Sequence, residues 1–270
     1  MQVFFISQNL KYSVFKYFFK RIEIKKDKLI LNCNIDKMKL KKKIKIVKKI
    51  SKILNKNNSN TVIISSKLKK DSFFTDLLYS EQLNIITGKK MFKTLIEKIL
   101  EKTILEHNIK KEETEIALAA NSKNEWVCNL IINLSKKFKS VKIVSNNIKY
   151  FKEIEEKLFE NEGIIVTVTN NKRKAMLKSN IILNIDFSEE QLNKYNIYEN
   201  SIIISVEDNI KIHKKRFSGI IINDYNIKLR KEGDIFKDLT KDEYKEFSLK
   251  DLAECYITGK PEEIKNIEVY

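Results

Sequence analysis

The residues best placed for chemistry in this 270-residue chain form one turn, Asn121, Ser122, Lys123 and Asn124. The apolar run Ile116–Ala120 precedes it, and a helical pattern starts after it at Glu125. A strand–turn–helix unit presents backbone N–H groups and the positive end of a helix dipole, which together can hold a phosphate. Glycines normally let the backbone come close to that phosphate, and NSKNEW (Asn121–Trp126) contains none. The amides of Ser122 and Asn124 are what such a turn could offer instead. Glu125 suits the helix dipole but repels a phosphate, and Trp126 crowds the same approach.

Other candidate groups are weaker. Lys172, Arg173 and Lys174 follow one apolar run, and Lys214, Lys215 and Arg216 follow another. Both clusters could meet a phosphate or ribose, and both read as solvated loops. Cys33, Cys128 and Cys255 are far apart, with no CxxC pair, and only His107 and His213 could join them. Neither a disulfide framework nor a zinc site is expected, and a reducing cytoplasm fits. His107 reads as a helix C-terminal residue and His213 as a loop residue. The five glycines are too far apart for a GxSxG elbow or a Walker loop. No catalytic set emerges, so the catalytic residues stay unknown.

The elements that must position this turn are set by apolar periodicity, because one proline and five glycines give little punctuation. The start VFFIS reads as a strand rather than a secretory signal, and no run reaches the roughly 20 apolar residues of a membrane span. Residues 12–22 could be helix or strand. KLILNCN (Lys28–Asn34) reads as a strand. Asp36 is expected to cap a helix that runs to about Asn57, with Leu40, Ile44, Val47, Ile50 and Leu54 on one face. Lys41, Lys42, Lys45, Lys49, Lys52 and Lys56 form its other face, which reads as solvated. A strand at Thr61–Ser66, a helix near Phe73–Tyr79, a strand at Asn84–Thr87 and a helix from about Lys90 to His107 follow.

From Ile116 the rhythm is regular. Strands are expected at Ile116–Ala120, Val141–Ser145, Ile164–Val168, Asn180–Asp186, Ile202–Val206 and Gly219–Asp224. Helices are expected at Glu125–Phe138, at Lys149–Asn161 ending on Gly163, and around Arg173–Lys178. The strands are continuous Ile/Val runs, as a parallel sheet covered on both faces requires. The fold class is therefore α/β: a C-terminal Rossmann-like doubly wound parallel sheet with a smaller N-terminal α/β domain. The junction is placed in KKEETE (Lys110–Glu115), giving a basic domain over residues 1–110 and the Rossmann-like domain over 111–270.

The net charge of +17 lies in the first quarter of the chain: residues 1–70 carry 20 lysines and arginines against three acids, and the remainder carries 33 of each. Such a surplus suits a nucleic acid or an anionic membrane surface. Only four of the 53 basic residues are arginine, the residue preferred for bidentate phosphate and base contacts. That points to compositional bias instead.

Four segments carry a family resemblance: VSNN (Val144–Asn147), NIILN (Asn180–Asn184), GIIIND (Gly219–Asp224) and FSLKDLAECYITGK (Phe247–Lys260). With them, residues from about 115 to 268 resemble the NADP-binding domain of the shikimate dehydrogenase and glutamyl-tRNA reductase group. The resemblance implies a final helix that returns to the N-terminal domain. It also implies cofactor-binding positions at Asn121, Ser122, Asn124, Asn146, Asn147, Lys149 and Asn184. Ser145, Asn146 and Asn147 replace the acid that would grip an NAD ribose, which favours NADP. Asn147 also replaces the arginine expected for the 2′-phosphate, leaving Lys149 as a substitute. Neither the catalytic lysine nor the aspartate context of shikimate dehydrogenase is present. The expected function is therefore a regulatory, scaffolding or partner-binding role without dehydrogenase activity and with no cofactor. The alternatives are an NADP-dependent oxidoreductase with an atypical turn, or binding of nucleic acid or an anionic surface through the N-terminal region. A protein partner and a homo-oligomer are compatible with the first.

Overall fold

The computed structural model describes residues 2–11, 21–207, 209–230, 235–236, 239–240, 245–257 and 260–270. Most of the segment left open between helix and strand, residues 12–20, lies outside the described residues. The chain forms two compact units, Met1–Thr94 with Ile227–Asn266 and Leu95–Asn226 with Ile267–Tyr270. The first division falls inside the helix Lys89–Glu106, where the sequence placed a junction at residues 110–115.

The N-terminal unit is built on five strands: β1 (Val3–Gln8), β2 (Ile22–Lys25), β3 (Lys28–Leu31), β4 (Thr61–Ile64) and β5 (Asn84–Ile85), in the order β2-β3-β1-β4-β5. β1 runs parallel to β3 and β4, β4 runs parallel to β5, and β2 is antiparallel to β3. Period-two alternation sends Phe4 and Ile6 of β1 and Leu29 and Leu31 of β3 to one face. There they form a core with Ile46, Val47, Ile50 and Leu54 of helix α1 (Leu40–Lys56). The six lysines of the expected solvated face of α1 are all exposed.

One expectation for α1 needs correction. Its N-cap is Lys39, without a side-chain cap, and Asp36 stands exposed outside the helix. Lys43 is buried on the packed side, where it pairs with Asp71. The same Asp71 caps helix α3 (Ser72–Ser80) by accepting from the amide of Phe74 at 2.9 Å. A short helix α2 (Ser66–Lys69) precedes it, and helix α4 (Lys89–Glu106) follows β5.

The C-terminal unit carries β6 (Glu115–Ala119), α5 (Glu125–Lys137), β7 (Ser140–Val144), α6 (Ile148–Glu162), β8 (Thr167–Thr169), β9 (Ile181–Asn184), α7 (Glu189–Asn193), β10 (Ile202–Ser205) and β11 (Ile220–Ile222). All neighbours pair in parallel, in the order β8-β7-β6-β9-β10-β11. This is the doubly wound order of a Rossmann sheet, with the switch of direction between β6 and β9. β9 and β10 are buried at every position, as expected of strands covered on both faces.

Asn124 caps α5 by accepting from the Val127 amide at 3.0 Å. Gly163 ends α6 at φ +64°, and its amide donates to the Phe159 carbonyl at 3.0 Å, an αL end. The expected strand at Ile164–Val168 starts later, at Thr167. Ile165 is exposed, because the residues after Gly163 complete the helix end before the chain enters the sheet. The expected helix at Arg173–Lys178 is a turn instead. Asn171 Oδ1 accepts from the Arg173 and Lys174 amides and diverts them from a helical ladder.

Past the sixth strand of the sheet, β12 (Tyr225–Leu229) and β13 (Ile264–Val269) pair as a ribbon. Helix α8 (Leu249–Tyr256) lies between them in sequence and belongs to the N-terminal unit.

Candidate functional site

In a sheet of this order, ligands lie beyond the carboxyl ends of the strands where the winding reverses. Here that place is the end of β6 beside the end of β9. Ala119 stands opposite Asn184 in the parallel register, so Asn121, two residues on, is brought level with Asp186. The Asp186 carboxylate accepts from the Asn121 amide at 2.6 Å and from the Ser122 amide at 2.8 Å. Two consecutive N–H groups gripping two carboxylate oxygens form an anion-binding cradle, here filled by the protein's own acid. Hydrogen bonds to an ionised acceptor are about twice as strong as neutral ones. A phosphate would therefore have to displace a well-held carboxylate of like charge.

The other predicted positions fall around this cradle, and most are bonded to one another. Asn121 Oδ1 accepts from the Asn146 amide at 3.0 Å, and Asn147 Nδ2 donates to the Asn121 carbonyl at 3.1 Å. The Asn147 amide donates to Ser145 Oγ at 3.0 Å. These bonds tie the β6–α5 turn to the β7–α6 turn. Asn124 is occupied as the helix cap, and Glu125 is exposed in the first turn of α5.

Asn184 is buried beneath the cradle. Its Nδ2 donates to the Phe187 carbonyl and to Ser205 Oγ, and its Oδ1 accepts from the Phe187 amide, each at 3.0 Å. That set uses its polar atoms to shape the loop that delivers Asp186, and leaves nothing for a ligand. Lys149 is exposed on the first turn of α6. The structure thus brings Asn121, Ser122, Asn146 and Asn147 together. It places Asn124 and Asn184 in structural roles and leaves Lys149 at the surface.

Asp186 is the residue that reading the sequence missed. It was visible as the end of NIILNID, and the 1–4 adjacency of strands in this topology would have placed it beside the turn. No glycine opens this cradle, its two amides are engaged by Asp186, and Glu125 stands exposed on the first turn of the helix beside it.

The remaining candidates carry no constellation. Lys172, Arg173 and Lys174 are exposed. His213 Nε2 lies 2.7 Å from Glu189 Oε1 at the surface, and His107 is exposed past the end of α4. Burial pushes the Cys33 thiol up to about 11 and raises that of Cys255 as well, which disfavours a reactive thiolate at either. Among the described residues no three His, Cys, Asp or Glu side chains come together to hold a metal ion. No described helix is long and apolar enough to cross a membrane.

No protein-family model and no curated protein matches the chain. Among solved structures it is similar to L-tryptophan dehydrogenase from Nostoc punctiforme, at TM-score 0.37 and 9% identity over 79% of this chain and 65% of that one. It is also similar to ornithine carbamoyltransferase from Pyrococcus furiosus, at TM-score 0.32 and 10% identity over 96% and 86%. For aspartate transcarbamoylase from Trypanosoma cruzi with carbamoyl phosphate, the values are 0.30 and 12% over 76% and 71%. At these values no function is transferred from any of them.

Proposed function

We propose that the C-terminal unit is a dinucleotide-binding domain in architecture only, of the kind found in the shikimate dehydrogenase and glutamyl-tRNA reductase group, and that it serves a regulatory, scaffolding or partner-binding role. The observation that carries this reading is the Asp186 carboxylate on the amides of Asn121 and Ser122. A domain that fills its own phosphate cradle with an acid keeps the rigid sheet and gives up the cofactor.

Thermal unfolding of the full chain with NADPH, NADP or NADH at millimolar concentration tests it. A ligand that binds only the folded state raises the melting temperature by mass action. The expected result is no shift. A rise that saturates with NADPH would overturn the reading and favour the NADP-dependent oxidoreductase.

One observation favours a second reading, binding of a nucleic acid or an anionic membrane surface by the N-terminal unit. Lys41, Lys42, Lys45, Lys49, Lys52 and Lys56 are all exposed on one helix, as a basic amphipathic binding face would be. On that reading the chain binds RNA or acidic vesicles with an affinity that falls steeply with salt. Replacing Lys45, Lys49 and Lys52 with glutamine would then weaken binding at least tenfold, and unchanged binding would dismiss the reading.

A further inference from the structure

Helices α5 and α6 of the C-terminal unit run side by side in the same direction, joined by a salt bridge near each end. Lys123, in the turn before α5, meets Glu153 in the second turn of α6 at 2.6 Å. Lys136, near the end of α5, meets Glu162 at the end of α6 at 2.8 Å. Between these bridges the two helices do not close on each other. A groove of about 330 Å³ remains there, lined by Cys128 and Ile132 of α5 and by Ile154, Lys157, Leu158 and Asn161 of α6. That volume lies at the lower end of the range for small-molecule sites, roughly 300–1,000 Å³.

The floor of the groove is apolar. Cys128 and Ile132 stand one turn apart on α5, as Ile154 and Leu158 do on α6. Ile154 and Leu158 are buried, whereas Cys128 and Ile132 stay half-buried. Packed helices leave few voids, and here the short Cys128 side chain holds a place that a leucine would fill.

The rim carries one charge that the protein does not answer. Every residue from 121 to 169 is described, so the neighbours of this rim along α5 and α6 are all on view. Glu153 and Glu162 have their partners in Lys123 and Lys136. Lys157 forms no salt bridge among the described residues. Glu153, one turn before it, feels its charge, but Lys123 already holds that carboxylate. Glu160, one turn after it, is exposed and outside the groove lining. Asn161 brings a side-chain amide to the same wall. A lysine stem can lie along apolar surface while its ammonium stays at the edge.

We propose that this groove binds a small amphipathic monoanion, a carboxylate with an unbranched apolar tail. The tail covers Ile132, Ile154, Leu158 and the Cys128 side chain, and the carboxylate meets the Lys157 ammonium with the Asn161 amide as a second donor. The eight residues from Cys128 to Lys136 span roughly 12 Å of helix, which limits the tail to a medium-length chain. The groove lies wholly within the C-terminal unit and uses none of the amides held by Asp186. It therefore stands or falls separately from the cofactor-free reading of the cradle.

Calorimetric titration of the full chain with octanoate at fixed ionic strength tests it, beside octanol, which lacks the charge, and acetate, which lacks the tail. Octanoate should bind saturably, and octanol and acetate each at least tenfold more weakly. Lys157→Gln alters an exposed side chain and should weaken octanoate binding at least fivefold, while Lys49→Gln on α1 should leave it unchanged. Cys128→Leu should abolish binding by filling the groove. A readout at the site needs no variant: octanoate should slow the alkylation of Cys128 by iodoacetamide at least threefold. The proposal is overturned by any of four results: no saturable octanoate binding, octanol binding as tightly as octanoate, undiminished binding in Lys157→Gln, or an unchanged rate of Cys128 alkylation.

Discussion

At the scale of single residues, the C-terminal unit turns on two side chains, Asp186 at the surface of the cradle and Asn184 beneath it. Asn184 is 1% exposed and uses both its amide and its carbonyl. Asn184→Asp keeps the shape but sets a carboxylate oxygen against the Phe187 carbonyl. An unmatched buried polar group costs about 1–3 kcal/mol, and a charged one more. Chemical denaturation should therefore show a loss of at least about 2 kcal/mol, whereas a loss below a few tenths would refute the role given to Asn184. The family resemblance marked Asn184, and the strand–turn–helix pattern marked the 121–124 turn. Neither distinguished contact with a ligand from contact with the protein. That distinction depends on which strands are neighbours, and the parallel pairing of Ala119 with Asn184 joins residues 65 positions apart.

At the scale of elements, apolar periodicity located the strands of the C-terminal sheet to within a few residues. It failed where side chains or helix ends overruled it. Asn171 held Arg173 and Lys174 in a turn, and the end of α6 at Gly163 delayed β8. The ribbon β12–β13 was not foreseen: YNIKL (Tyr225–Leu229) alternates, but its partner begins 35 residues beyond its end. Two glycines make opposite demands on these elements. A Cβ on Gly163 would meet nothing within 4 Å, so Gly163→Ala costs only the left-handed backbone, roughly 1–2 kcal/mol. A Cβ on Gly219 would lie 2.0 Å from the Ser201 carbonyl oxygen and 2.9 Å from the Phe217 ring. Gly219→Ala must therefore push β10 and β11 apart. Its melting temperature should fall well below that of Gly163→Ala, and equal stability of the two variants would contradict the packing described.

At the scale of the whole molecule, stability should carry a pH signature from the N-terminal unit. Asp251 of α8 is fully buried, and one of its carboxylate oxygens has no partner, although Lys69 pairs with the other. Burial raises its pKa above 3.8 in the folded state, against the opposing pull of Lys69. The folded protein thus holds this proton more tightly than the unfolded chain does. The resulting stabilisation is complete below 3.8 and is lost as pH rises through the folded value. Measured beside Asp251→Asn, the wild type should gain relative stability as pH falls from about 7 to about 4. A gap between the two that is constant across that range would show that Asp251 does not titrate in this way. Composition had foreseen the basic N-terminal quarter but not this buried acid, since a lone Asp in an amphipathic helix looks like any solvated one.

Asp71 has a consequence of a different kind. One of its oxygens starts α3 and the other answers the buried ammonium of Lys43 on α1. A single carboxylate is thus the shared fastening of two helices that are 15 residues apart in sequence. Neither helix can drift in sequence at that junction without the other, which makes this position a single point of failure for the N-terminal unit.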